Sequence, residues 1–550
     1  MQHKIVPAPM TLQFIIENAV RNFAPYPSLA FVDSQPITYQ ELGSQIQKVS
    51  ALLFSYGLQP GDKVALFSQN MPNWVVAYFA IVSKGLVVVP VLPDFTALEI
   101  ENVLLHSGAK ALFISEKLYS KVAGKTFEDL VVTITTDNFS IVSATQKPVD
   151  EKIPDIQVKE DDIAAIIYTS GTTGRSKGVM LTHANITFIA MQSYSVFPIS
   201  HTEVVLSFLP LSHTYENSIG MLYPVMYGAC IYYLDKAPTA ATLLPALAKV
   251  RPTMMLSVPL IMEKIYKNQV HNKFSKNRFS RLIYKTPLFR IIIHYIAGKK
   301  LMKTFGGRLK FFGIGGAKID ARVERFLKEA RFPYAIGYGL TETAPLLAGA
   351  APHQTKLQST GFALEGVTLK INEPNKNGVG EIWAKGPNVM KGYYKNPEVT
   401  AEVLTEDGWF KTGDLGVFDA KKRLYIKGRM KNTIVGASGE NIYPEDIESV
   451  INNNQIVTES LVIEEDGFLV AKVLLDIESI EKNYQHLKHV IGDKKEKYAE
   501  WKTAFTKELN SKLNRASQIK RVDFIDEPFE KTASQKIKRF LYTKTDKKKK

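Results

Sequence analysis

The 550-residue chain reads as an α/β protein: a large N-terminal domain of stacked α/β subdomains with a β-rich subdomain, then a small α+β C-terminal domain. Three observations predict this. From residue 11 to about 260, short β-branched runs alternate with helix-like segments, the pattern of sheets covered on both faces. Residues 370–427 change to short strands broken by turn signals, among them Asn375–Gly378, Lys385–Pro387 and Asp407–Gly408. After Gly428 the pattern mixes again, and roughly 120 residues remain, enough for a core of their own. The expected bounds are 1–428 for the N-terminal domain, with 370–427 its β-rich part, 429–431 for a joint, 432–543 for the C-terminal domain, and 544–550 for a Lys-rich tail.

Taken in order, Lys63–Phe67 is a strand by its apolar, β-branched content, and Trp74–Ser83 a helix by period. Val87–Val91 is the next strand, Ala97–His106 the next helix, and Ala111–Ile114 and Ala164–Tyr168 are further strands. The most hydrophobic window, Trp74–Leu92, contains Lys84, Gly85 and Pro90 and switches period at Ser83–Gly85. It reads as a buried helix followed by a buried strand, not as a membrane span. Near the C-terminus a charged helix is expected over about 484–515 and a last strand at Arg521–Ile525.

Apolar residues make up 45% and charged residues 22%, which excludes wholesale disorder, collagen-like repeats and a multispanning membrane protein. A single cysteine, Cys230, excludes a disulfide framework and any Cys-rich metal cluster within the chain, and reads as a small buried residue. The start, MQHKIVPAPM, lacks the apolar stretch of a signal peptide, so a cytoplasmic location is expected. The net charge of +15 is local. Residues 264–310 hold 13 Lys/Arg and no acid, and Lys544–Lys550 hold five Lys and one Asp, leaving the rest nearly neutral. Such segments suit an anionic membrane, on its inner face. No nucleic-acid fold signature accompanies them, so no nucleic-acid partner is expected, and the sequence assigns no oligomeric state.

The strongest chemical signal is Tyr168-Thr-Ser-Gly-Thr-Thr-Gly-Arg-Ser-Lys-Gly178, directly after the apolar run Ala164–Ile167. Glycines 171, 174 and 178 permit positive φ and close backbone approach, the hydroxyls of Ser170, Thr172 and Thr173 can wrap a polyphosphate, and Lys177 supplies a point charge. A Walker A loop would need Lys before Ser/Thr; here Lys177 lies between Ser176 and Gly178.

This segment resembles the phosphate-binding signature of the adenylate-forming superfamily, which unites acyl-CoA synthetases, nonribosomal peptide adenylation domains and firefly luciferases. Further segments follow in the expected order: Leu209–His213 (LPLSH), Gly315–Ala317, Gly337–Glu342 (GYGLTE), Gly408–Asp414 (GWFKTGD), Gly428–Lys431 (GRMK), Gly439–Pro444 (GENIYP) and Lys536-Ile-Lys538. With Thr38–Leu42 and Pro60–Val64 the resemblance spans essentially the whole chain, and LPLSHTYE is most like long-chain fatty acid–CoA ligases.

The resemblance implies ATP, Mg²⁺ and CoA as cofactors, a fatty acid as the acid activated, and a small C-terminal domain that is mobile. Thr169 to Gly174 (Thr169, Ser170, Gly171, Thr172, Thr173, Gly174) and Lys177 would hold the triphosphate, and Thr172 and Glu342 the metal. Gly315, Gly316, Ala317, Tyr338 and Gly339 would flank adenine, Thr341 the phosphate side, Asp414 the ribose, and Arg429 the ribose or phosphate. Lys536 would bridge the reacting carboxylate and the α-phosphate, Lys431 would be the hinge, and Ser438, Gly439 and Glu440 would line the CoA tunnel. His213 would gate the acyl site or contact the reacting carboxylate. Departures from the common pattern are Gln535 before Lys536 and Asn432 in place of Asp. Rival readings are an acyl-AMP ligase that loads a carrier protein, an aryl- or amino-acid-adenylating enzyme, and a non-catalytic basic surface-binding protein.

Overall fold

The computed structural model of the chain describes residues 3–149, 155–169, 176–236, 238–266, 284, 286–435, 441–452, 454, 456–465, 467–475, 495–513, 517–532 and 537–543. Two large sheets dominate, counted among these residues. One has nine strands in the order Phe362–Ala363, Ala348–Ala350, Tyr334–Tyr338, Phe311–Ile314, Met254–Ser257, Val204–Ser207, Cys230–Tyr233, Pro27–Phe31, Ile37–Thr38. The other has eight: Gly392–Tyr393, Lys177–Thr182, Ile163–Thr169, Val87–Val91, Lys63–Phe67, Ala111–Ile114, Val132–Thr135, Ile141–Ala144. Their central strands are parallel, which requires cover on both faces.

The side chains show how that cover is arranged. Val64 and Leu66 point into the main core while Ala65 and Phe67 point to the opposite face of the same sheet. In the nine-stranded sheet Met254 and Leu256 join the main core and Met255 the far one. The main core is a shared layer of helices, Leu12–Phe23, Tyr39–Ser55, Pro72–Val82 and His183–Val196, packed between the two sheets. Helices Ala97–Ser107 on one outside and Ala321–Glu329 on the other complete an αβαβα stack. Helix starts are set by caps the sequence carries: Thr38 with Glu41 and Thr96 with Glu99 each close a reciprocal capping box. The window Trp74–Leu92 is, as expected, a fully buried helix followed by a buried strand.

The region 370–427 forms a four-stranded antiparallel sheet, Thr368–Asn372, Gly380–Lys385, Phe410–Phe418 and Leu424–Arg429. It is not purely β. Gly392–Tyr393 leaves to edge the eight-stranded sheet, and Pro397–Val403 is a helix capped by Asn396 with proline in its first turn. After a short turn, Met430–Asn432, helices Pro444–Asn452 and Lys495–Asn510 pack on a three-stranded sheet, Val457–Glu465, Phe468–Leu475 and Arg521–Ile525. Of the charged helix expected over about 484–515, Lys495–Asn510 is helical, and residues 484–494 lie outside the described residues. Cys230 is buried, and burial pushes its thiol up to about 12.

Candidate active site

Strands Ile163–Thr169 and Lys177–Thr182 form an antiparallel hairpin whose last described pair is Thr169 with Lys177. The residues between these strands that carry the phosphate signature, Ser170, Gly171, Thr172, Thr173 and Gly174, lie outside the described residues. The hairpin is pinned from below: the Tyr168 hydroxyl meets Nδ1 of His106 at 2.7 Å. Gly178 has a role other than the expected one. Its φ is not positive; a Cβ there would lie 2.9 Å from Ile166 and 3.2 Å from the Tyr168 ring. The glycine makes room for the cross-strand neighbours, not for a ligand.

Strand Gly392–Tyr393 pairs with Met180 and Val179 and carries Tyr393 to the hairpin. Lys177 Nζ sits 4.9 Å from the centre of the Tyr393 ring, and the Tyr393 hydroxyl donates to Glu342 Oε1 at 2.9 Å. Burial first, and the Glu342 charge second, push the Tyr393 phenol well above its usual range, so it stays a donor.

Glu342 is carried on the 3₁₀ turn Thr341–Thr343, which begins three residues after the end of strand Tyr334–Tyr338. The turn is held from three sides. Buried Asn388 donates to the Thr343 and Leu346 carbonyls (3.0 and 2.9 Å), Met390 N donates to the Glu342 carbonyl (2.9 Å), and Ser218 Oγ donates to the Ala344 carbonyl (2.9 Å). Gly339 is required here: a Cβ would fall 1.7 Å from the Pro345 carbonyl oxygen.

Asp414 lies within strand Phe410–Phe418, and Gly413, at φ +68°, bends the strand just before it. Its cross-strand partner is Arg429, whose Nε approaches Asp414 Oδ1 at 2.8 Å, and the Tyr338 hydroxyl donates to Oδ2 at 2.8 Å. Asp414 is only 5% exposed, so the carboxylate is oriented before any ligand arrives. Lys431 follows two residues after Arg429. Its ammonium is held below the ordinary lysine range by partial desolvation, then by the charges of Lys177 and Arg429, against the pull of Glu342. Lys177, Arg429 and Glu342 thus lie near enough for their charges to act on Lys431, with Arg429 itself paired to Asp414.

Gly315–Ala317 leave the strand Phe311–Ile314, whose parallel neighbour is Tyr334–Tyr338. Gly316 has φ +84° and Gly315 faces the Tyr215 ring, which a Cβ would meet at 3.1 Å. His213 is half-buried on the segment leading to the π-helical stretch Glu216–Leu222, and Tyr215 N donates to its Nδ1 at 3.3 Å. Ser438, Gly439, Glu440 and Lys536 lie outside the described residues.

An AMP-binding enzyme family matches residues 16–394. The chain belongs to that family. This AMP-binding enzyme is 29% identical over 553 residues to a long-chain-fatty-acid–CoA ligase, FadD15, of Mycobacterium bovis, covering 92% of this chain and 90% of that one. It is 30% identical over 482 residues to long-chain-fatty-acid–CoA ligase 1 of Saccharomyces cerevisiae, over 76% and 69% of the two chains. Its fold superposes on that of o-succinylbenzoate coenzyme A synthetase from Bacillus subtilis, solved with ATP and magnesium, with TM-score 0.73 and 24% identity over 96% and 98% of the chains.

Two residues of this AMP-binding enzyme's site escape the motif reading, Tyr393 and Asn388. Both come from the stretch between the β-rich strands, where Gly392-Tyr-Tyr394 and Gly386-Pro-Asn388 look like turn chemistry alone. Among the described residues no helix is long and apolar enough to cross a membrane.

Proposed function

We propose that this AMP-binding enzyme is an AMP-forming fatty acid–CoA ligase that acts on medium- or long-chain acids, drawn from a membrane surface. The carboxylate of the acid attacks the α-phosphorus of ATP, the bond to the β-phosphate oxygen breaks, and pyrophosphate leaves with its electron pair. The CoA sulfur then attacks the acyl carbonyl, giving the thioester and AMP.

The observation that supports the reading is the cluster in which Tyr393 holds Glu342 and lies beside Lys177, with the charges of Lys177, Arg429 and Glu342 all acting on Lys431. Two anions must meet in the first step, and fixed cations stabilise the charge that builds on the phosphate oxygens. Lys177, with Thr169–Gly174, holds the triphosphate; Tyr338, Gly339 and Gly315–Ala317 flank the base, and Thr341 the phosphate side. Asp414, oriented by Tyr338 and Arg429, accepts from the ribose hydroxyls.

Glu342 fits Mg²⁺: a hard, half-buried carboxylate with one oxygen anchored by Tyr393 is the donor this ion uses alongside phosphates and water, with Thr172 as the second protein ligand. Bound there, the ion would neutralise phosphate charge. Lys536 bridges carboxylate and α-phosphate in the first step. Ser438, Gly439 and Glu440 line the passage for CoA after rotation of residues 432–543 about Lys431. His213, beside Tyr215, contacts the acid.

Pyrophosphate release with acids from C4 to C18, with and without CoA, tests this. We expect release to peak at C10 or longer, and free thioester only with CoA. Adenylate that accumulates with CoA present would favour a carrier-protein acceptor, and a preference for aryl or amino acids would refute the reading.

A further inference from the structure

Helix Pro287–Thr304 lies in the most basic part of the chain and is docked on the body through one face only. His294, Gly298 and Leu301 are buried, and Gly298 comes so close to the end of helix Ala321–Glu329 that a Cβ would lie 2.4 Å from the Ala330 carbonyl oxygen. That contact fixes the helix's rotation. The opposite face, over its first two and a half turns, consists of Leu288, Phe289, Ile291, Ile292, Tyr295 and Ile296; Leu288 and Ile296 are 66% and 62% exposed. Lys299, Lys300 and Lys303 continue the same face and are exposed.

This differs from what charge counting alone suggests. Arg290 is not available to a partner: it donates twice to Glu329, at 3.1 and 2.8 Å. Lys310 is likewise paired, with Glu203 at 2.7 Å. The cations that remain lie towards the C-terminal end of the face, where Lys299 also sits 4.8 Å from the Tyr295 ring. The helix has no acid of its own, and Glu324 of the neighbouring helix is fully buried against Gln358.

We infer that this face seats the enzyme on an anionic lipid surface, with Leu288, Phe289, Ile292 and Ile296 in the headgroup–acyl boundary and Lys299, Lys300 and Lys303 on lipid phosphates. Uncovered aliphatic residues call for an apolar partner, and a row of lysines beside them for an anionic one. Only a lipid leaflet supplies both in layers. A second copy of the chain would bring the same lysines against themselves, and aliphatic side chains offer nucleic-acid bases nothing to stack on. Residues 267–285 add six more Lys/Arg and no acid next to this helix in sequence. The inference rests on the fatty-acid reading for its purpose, since a long-chain acid partitions into lipid, but not for its test.

The test is sedimentation of the full chain with substrate-free vesicles of phosphatidylcholine alone or with 30% phosphatidylglycerol. Binding to the anionic vesicles is expected to fall steeply from 50 to 500 mM salt and to be weak on the neutral ones. Changing Lys299, Lys300 and Lys303 to Gln should weaken it about 100-fold, about fivefold per lysine. Changing Phe289, Ile292 and Ile296 to Ser should abolish it. Both variants should keep the parent's melting temperature and its turnover of a short, water-soluble acid, because the inward face is untouched. Equal binding to both vesicles, no binding at low salt, or a dimer that the Ser variant dissolves would overturn the inference. A failed acid panel with intact lipid binding would instead refute the substrate reading.

Discussion

The hydroxyl of Tyr393 is the cleanest place to test the site. Tyr393→Phe removes one oxygen and keeps the ring, so the Lys177 contact at 4.9 Å and the strand pairing with Met180 and Val179 persist. What is lost is a 2.9 Å hydrogen bond to a carboxylate, made by a side chain only 6% exposed. A bond to a charged acceptor contributes about 1.5–3 kcal/mol, which corresponds to about 10- to 150-fold in rate. Because the bond orients Glu342, the loss should appear in metal use. In ATP–pyrophosphate exchange, the Mg²⁺ concentration for half-maximal rate is expected to rise by about that factor, with the melting temperature nearly unchanged. A general packing defect would lower stability and leave the Mg²⁺ dependence alone. Exchange and Mg²⁺ dependence both within twofold of the parent would refute the assignment of Tyr393 as the residue that positions Glu342.

Three further outcomes are expected. Lys536→Ala should lower adenylate formation by about 10²–10³ while thioester formation from supplied acyl-AMP persists; equal loss of both half-reactions would remove the two-conformation scheme. Gly339→Ala forces the backbone off Pro345 and should cost about 1–3 kcal/mol in chemical denaturation and most of the exchange activity, whereas parental values for both would show that the approach is not tight. Glu216 is 1% exposed, and burial pushes its carboxyl from the ordinary 4.5 up to about 8. The folded chain thus keeps a proton the unfolded chain releases, so its contribution is complete below pH 4.5 and is lost as pH rises through about 8. Melting temperatures from pH 5 to 8 should fall in the parent, by up to about 1.4 kcal/mol of stability per pH unit, and fall less in Glu216→Gln; parallel curves would contradict this.

Much of the fold is legible because its signals are local. Lys63–Phe67, Val87–Val91 and Ala111–Ile114 are the strands that their β-branched runs indicate, and Pro72–Val82 and Ala97–Ser107 the helices. What escapes depends on partners far along the chain. Tyr393 reaches the site only because a two-residue strand pairs with residues 179–180. Arg290 counts as a free cation until Glu329, 39 residues on, folds against it. Asp414 looks like a turn residue by its glycine, yet that glycine bends a strand that continues through it. Asn388 is invisible for the same reason, since its two acceptors, the Thr343 and Leu346 carbonyls, lie at the end of the Glu342 turn and just beyond it.

The placement of Pro27–Phe31 bears on how the chain folds during synthesis. This early strand sits between Ile37–Thr38 and Cys230–Tyr233, with Leu29 opposite Ile231. Until the ribosome has delivered residue 233, its only neighbour is a two-residue strand, and such a ribbon does not hold in water. The helices Leu12–Phe23 and Tyr39–Ser55 wait with it, since their core is shared with both sheets. A long nascent segment with buried-type residues on both faces must therefore stay unpaired for many seconds at ordinary elongation rates. Fragments ending before residue 233 should aggregate, and the two sheets of the finished protein should form and melt as one cooperative unit.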